Sequence, residues 1–160
     1  MSDKLVVFYS RTGNTRKAAE ALARVGGWDL AEIEDEATRA GRRGALWSVI
    51  ETVFGLEPRV QYHGPDPGSY DLVIVATPVW ASNVASPVRS FLKHYGARLK
   101  RVAFLCTLGG NGAPAAQKRF AVICGKSPLD ALALTDREME SGRYEEQVRV
   151  FANRLGGAAA

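Results

Sequence analysis

Residues 4 to 25 read KLVVFYSRTGNTRKAAEALARV, and the three parts of this stretch set the architecture. Lys4 to Tyr9 is a nearly unbroken apolar run of strand length, the pattern of a strand buried on both faces. Asn14 to Val25 carries alanines and a leucine at helical spacing. Between them, Ser10-Arg11-Thr12-Gly13-Asn14-Thr15 is a loop of hydroxyls, an amide, one cation and one glycine. Strand, short loop and helix in that order form the first half of a parallel crossover unit.

Working outward, the unit recurs. Trp28 to Ile33 alternates as a second strand that Glu34-Asp35-Glu36 closes in solvent. Leu46, Ile50, Val53 and Phe54 share one face, which predicts a helix stopped by Gly55. His63 to Ser69, dense in glycine and proline, is a loop, and Tyr70 to Thr77 (YDLVIVAT) is the most strand-like run, expected at the sheet's centre. Pro87 suits a first helical turn, and Val88, Phe91, Leu92 and Tyr95 continue that helix to Gly96. Arg101 to Thr107 predicts a fourth strand, Ala113 to Ile123 a helix, Pro128 to Leu134 a fifth strand and Tyr144 to Leu155 a last helix. Five strands alternating with five helices imply an α/β fold, a doubly wound parallel sheet with helices on both faces. No internal repeat or linker divides the chain, so one domain over residues 1–156 is expected, with residues 157–160 as a frayed tail.

Composition narrows the function classes. At 160 residues, 46% hydrophobic and 24% charged, the chain is an ordinary globular one, with no run approaching the ~20 apolar residues of a membrane span. The start, MSDKLVVFYS, makes a poor secretory signal, so the expected location is the cytoplasm. Cys106 and Cys124 lack metal-site spacing and read as two buried thiols, and His63 and His94 stand in unrelated segments. The net charge of +4 is mild and has no basic run interleaved with aromatics, which points away from nucleic acid.

In an open parallel sheet, ligands bind beyond the carboxyl ends of the strands. Three loops are expected there. Ser10 to Thr15 has the makings of a phosphate cradle, with Gly13 permitting close backbone approach and a helix N-terminus behind it. The competing reading is a plain helix cap by Thr12 or Asn14. The loop lacks both the glycine–lysine–hydroxyl ending of a Walker A loop and the three spaced glycines of a dinucleotide fingerprint. Thr77 to Ser86 places Trp80 at a strand end, either as a stacking platform for a flat ligand or as a lid over the helical layer. Thr107 to Ala113 (TLGGNGA) can bring backbone groups of Gly109, Gly110 and Gly112 against a heterocycle, or can simply be a turn that needs glycine.

With these residues in view, the chain resembles the flavodoxins and flavodoxin-like domains over nearly its whole length. SRTGNT resembles that family's Ser/Thr-x-Ser/Thr-Gly-x-Ser/Thr phosphate loop, and YDLVIVATPVW followed by ASPVRSFL resembles its third strand, flavin-contacting loop and proline-started helix. The resemblance implies a five-stranded sheet of order 2-1-3-4-5 and non-covalently bound FMN. Its phosphate would lie on Ser10, Arg11, Thr12, Gly13, Asn14 and Thr15, and its ribityl chain near Thr77 and Pro78. Its ring would lie among Val79, Trp80, Ala81, Ser82 and Asn83 on one side and Thr107, Leu108, Gly109, Gly110, Asn111 and Gly112 on the other. The implied role is an electron carrier serving a redox partner protein, reductase or acceptor. An FMN-dependent NAD(P)H:quinone or other small-acceptor oxidoreductase, and a cofactor-free interaction module, are the alternatives. Two departures matter. Ala81 stands where the carriers commonly have glycine, and a positive φ there is costly, Asn83 tolerating it better. The Thr107 to Ala113 loop has no second aromatic, which leaves one flavin face open.

Overall fold

The computed structural model describes residues 2–34 and 61–157. The helix expected over Leu46 to Phe54 and residues 158–160 of the tail lie outside those residues. Five strands run parallel: β1 (Lys4–Phe8), β2 (Asp29–Glu34), β4 (Leu72–Trp80), β6 (Val102–Leu108) and β7 (Ala131–Thr135). Their spatial order is β2-β1-β4-β6-β7, which is 2-1-3-4-5 among the parallel strands. A two-residue strand β3 (Gln61–Tyr62) pairs antiparallel with β2, and β5 (Asn83–Val84) folds back on β4.

The apolar run that opens the chain is buried along its whole length because both faces of β1 are covered. Its side chains alternate between two layers. Leu5, Val7 and Tyr9 join Val73, Val75 and Phe104 under α2 (Ser86–Tyr95) and α3 (Ala113–Cys124), through Val88, Phe91, Ala116 and Phe120. Val6 and Phe8 join Ile74 and Leu105 under α1 (Asn14–Gly26) and α5 (Tyr144–Gly157), through Ala18, Leu22, Val148 and Phe151. Each fully buried large apolar side chain contributes about 1.5–3 kcal/mol. The alanines of α1 let its backbone lie close to the sheet, and Gly27 in the left-handed conformation ends it, its N–H reaching the carbonyls of Ala23 and Arg24.

Most boundaries fall within one or two residues of the sequence expectation; two strand boundaries and one added helix depart further. β4 does not stop at Thr77 but runs through Trp80, since Pro78 keeps register opposite Thr107 and the chain then turns straight back into β5. The last strand begins at Ala131 and not at Pro128. An unexpected short helix α4 (Asp136–Ser141) follows it, started by a full capping box in which Thr135 accepts from the Glu138 N–H and the Glu138 side chain accepts from the Thr135 N–H.

Candidate functional site

The site is built where the carboxyl ends of β1, β4, β6 and β7 meet. Gly13 is the N-cap of α1 at φ 100°, and no side chain caps the helix. Intrahelical bonding starts with the Lys17 N–H on the Gly13 carbonyl, so the amides of Asn14, Thr15 and Arg16 have no acceptor within the helix. The two residues read as possible caps do something else: Thr12 is exposed, and the Asn14 amide donates to Asp136 at 3.2 Å. Beside this uncapped end, Ser10 Oγ is buried with no hydrogen-bond partner among the described residues. A buried hydroxyl without a partner costs about 1–3 kcal/mol. Together with the helix's positive end it forms a ready acceptor of an anion.

The β4–β5 hairpin forms the second wall. Trp80 is half-buried, with the Tyr9 ring edge-on at 6.4 Å and the Arg11 guanidinium 6.0 Å from its ring centroid. The turn residues are Ala81 and Ser82, at φ 50° and 58°, as a two-residue hairpin of this hand requires. The left-handed residues are therefore these two; Asn83 lies in β5 opposite Trp80, and its side chain accepts from the Val84 N–H. Each costs roughly 1–2 kcal/mol relative to a right-handed backbone. The hairpin base is fastened by Thr77, fully buried, whose hydroxyl donates to the Pro78 carbonyl at 2.9 Å and accepts from the Ala85 N–H at 3.2 Å.

The loop after β6 holds the hairpin in place. Gly112 sits at φ 108° against Ser82, and a Cβ on it would lie 2.6 Å from Ser82 Oγ and 3.0 Å from Ser82 Cα. No side chain fits there. Thr107 and Thr15 share a buried hydrogen bond of 2.8 Å between their hydroxyls, which ties the end of β6 to the first turn of α1. Leu108 is buried, whereas Gly109, Gly110 and Asn111 are exposed.

The structure thus brings the three expected loops to one edge and divides their residues between two tasks. Thr15, Thr77 and Thr107 turn their hydroxyls inward and brace the loops, and Pro78 and Val79 are buried in β4. The rest are not used as braces: Trp80 is half-buried, Gly109, Gly110 and Asn111 are exposed, and Ser10 Oγ has no partner among the described residues. Tyr9 and Asp136 belong to this edge and were not singled out from sequence. A continuous apolar run hides Tyr9, but the Thr135-Asp136-Arg137-Glu138 pattern is a legible capping box.

A cleft of about 340 Å³ flanks the Ser10 loop on the β2 side, lined by Ser10, Arg11, Arg16, Glu32 and Glu34 among others. Arg16 pairs there with Glu32. Cys106 and Cys124 are free and buried. Burial pushes the Cys106 thiol up to about 12 and raises Cys124 as well, so neither is a thiolate near neutral pH.

A doubly wound sheet of this order, with an uncapped glycine turn after its first strand and an aromatic hairpin after its third parallel strand, defines the flavodoxin-like class. The family model described as Flavodoxin matches residues 3–145, and the chain belongs to that family. Among solved structures, a Lactobacillus acidophilus flavoprotein in complex with FMN superposes with a TM-score of 0.69 at 23% identity, over 86% of this chain and 96% of the other. A Bacteroides eggerthii protein named as a flavoprotein gives 0.71 at 20% identity, over 96% and 97%. An archaeal flavodoxin gives 0.55 at 16%, over 96% and 99%. No functionally curated protein matches the sequence. None of the described helices is long and apolar enough to cross a membrane.

Proposed function

We propose that the protein binds FMN non-covalently and carries electrons between a redox partner protein and an acceptor in the cytoplasm. The single observation behind this reading is the partnerless Ser10 hydroxyl beside the uncapped start of α1. The residues present fit the group. Ser10 Oγ and the first-turn amides of α1 are donors without protein acceptors, suited to a phosphate monoester. Each hydrogen bond to a charged group is worth about 1.5–3 kcal/mol. The face of Trp80 offers a flat apolar surface, and the exposed backbone of Gly109 and Gly110 can meet a polar ring edge. FMN, when bound, supplies reversible one- and two-electron redox chemistry.

The protein's own part is positioning. Thr15–Thr107 and Thr77–Ala85 brace the cradle and the hairpin, and the missing side chain at Gly112 lets Ser82 pack directly against the loop after β6. Arg11, with its guanidinium over Trp80, supplies positive charge between the phosphate end and the ring end of the site. A preorganised site of this kind loses little entropy on binding.

The test is a paired fluorescence titration with FMN and riboflavin, which differ only in the phosphate. FMN fluorescence is expected to be quenched with an affinity at least about tenfold above that of riboflavin; no quenching by either would overturn the reading. The carrier role is tested by mixing the chemically reduced holoprotein with ferricyanide, with and without NADPH. Fast oxidation with no direct reduction by NADPH is the expected pattern. A second reading, an FMN-dependent NAD(P)H:quinone reductase, is favoured by the exposed Gly109 to Asn111 segment, which puts no ring opposite Trp80. Rapid NADPH oxidation with a quinone, without any partner protein, would select it.

A further inference from the structure

From Leu72 to Leu129 the sequence carries eight lysines and arginines and no aspartate or glutamate. This stretch builds β4, β5, β6, α2 and α3, three of the seven described strands and two helices packed on one face of the sheet. Some of its cations are neutralised near the strands' amino ends, Arg98 by Asp66 and Lys100 by Asp71, while Lys126 donates to the carbonyls of Gly96 and Leu99. The outer surface of α3 carries two further cations, Lys118 and Arg119. A groove of about 380 Å³ is lined by Arg89 and Lys93 of α2, by Lys118, Arg119, Val122 and Ile123 of α3, and by Asn83. Lys118 and Arg119 make no ion pair or hydrogen bond among the described residues. Val122 is 81% exposed, the most of any large apolar side chain among them.

We propose that this groove docks an acidic partner protein, through a segment whose carboxylates meet Lys118 and Arg119 and whose apolar side chain covers Val122. Charge sets the sign of the partner. The groove is lined by four cations and no carboxylate, and the 58 residues from Leu72 to Leu129 that carry its lining contain none, so the groove favours acidic surfaces over basic ones. The exposed apolar side chain of Val122 in the lining sets its class. An inorganic anion gains nothing from Val122, and a nucleic-acid strand would want aromatic rings to stack on, of which the lining has none. A protein segment that alternates acidic and apolar residues uses both features. Asn83 also lines the groove and pairs with Trp80 in the hairpin, so a partner seated there abuts the element that carries the proposed ring platform. The meaning of that position rests on the carrier reading; the docking itself does not.

The test uses the full chain, ¹⁵N-labelled, and three probes: a synthetic peptide alternating glutamate and leucine, the same peptide with serine for leucine, and a single-stranded oligonucleotide. The glutamate–leucine peptide is expected to perturb amides of α2 and α3 around Lys93, Lys118 and Val122. Its affinity should fall about tenfold in the Lys118→Glu/Arg119→Glu variant and severalfold between about 0.05 and 0.2 M salt. The serine peptide should bind more weakly. Equal binding by both peptides, perturbation outside α2 and α3, or tighter binding of the oligonucleotide in the groove would overturn the proposal. FMN quenching is measured on the same variant. Retained quenching with no peptide binding rejects the docking surface alone, whereas lost quenching in the unmodified protein rejects the FMN reading alone.

Discussion

Two helix starts touch at the carboxyl edge of the sheet, through the Asn14 amide and the Asp136 carboxylate, and they treat their first-turn amides in opposite ways. α4 closes its own with Thr135 and Glu138, each side chain satisfying the other's backbone N–H. α1 begins on a left-handed glycine that has no side chain to offer, next to a serine hydroxyl that has found no partner. Both follow a strand of the same sheet, so topology does not account for the difference. A complete cap is what stability alone favours, by about 1 kcal/mol. The starts of α2 and α3 also lack a side-chain cap, so what sets α1 apart, and supports the proposed phosphate site there, is the Ser10 hydroxyl beside it, buried with no partner among the described residues.

The comparison can be broken most sharply at Gly112. A Gly112→Ala change combines a positive φ with a Cβ inside contact distance of Ser82, and roughly 3 kcal/mol of stability should be lost. At Gly13 the φ is similar but the space is open, so Gly13→Ala should cost only the backbone strain, about 1–2 kcal/mol. Chemical denaturation of the two variants separates crowding from strain; equal losses would mean that Ser82 yields freely.

Next comes Ser10→Ala, which should weaken FMN about 10- to 100-fold, as expected for one charge-assisted hydrogen bond. Riboflavin binding should be unchanged, and the ligand-free protein should be as stable or slightly more so, since a buried orphan atom is removed. Thr135→Ala is its mirror image. About 1 kcal/mol of stability should go, read as a lower urea midpoint, with FMN affinity untouched. If Thr135→Ala also weakened FMN, the two helix starts would be one unit and the contrast between them would fail.

The smallest effect is in acid. The Thr135 N–H, then the Gln147 amide, hold the Glu138 carboxyl below the usual carboxylate range. A carboxyl depressed in the folded state adds stability above its unfolded pKa of about 4.3, and that stability drains away as pH falls through the lower folded value. Melting temperature followed from pH 6 downward should therefore drop more in the unmodified protein than in Glu138→Gln, the two curves converging at the acid end.

Much of this was legible in the order of residues. The apolar run from Lys4 to Tyr9, the loop from Ser10 to Thr15 and the alanines of α1 carry the period and turn chemistry of a strand–loop–helix crossover, and the sheet order is the one the family resemblance implies. The hairpin after Trp80 was not legible. Pro78 reads as a strand breaker, and Ala81-Ser82 offers none of the asparagine or glycine that such a turn normally displays. What makes the turn possible is the missing side chain at Gly112, far away in sequence. Helix α4 was missed because six residues are too few for periodicity to speak, although its capping box was in plain letters. At the site, which hydroxyls brace the loops and which do not cannot be told from composition. Thr15 and Ser10 look alike in the sequence, and the position of Thr107, which bonds Thr15, separates them.

The sheet itself is a partition. Since β1 sends Leu5 and Val7 to one side and Val6 and Phe8 to the other, the two packed layers share main chain but hardly any side-chain contact. Mutational damage beneath α1 and α5 should thus stay insulated from the layer of α2 and α3. An engineer could rebuild the floor under α5 for heat resistance without retuning anything on the opposite storey.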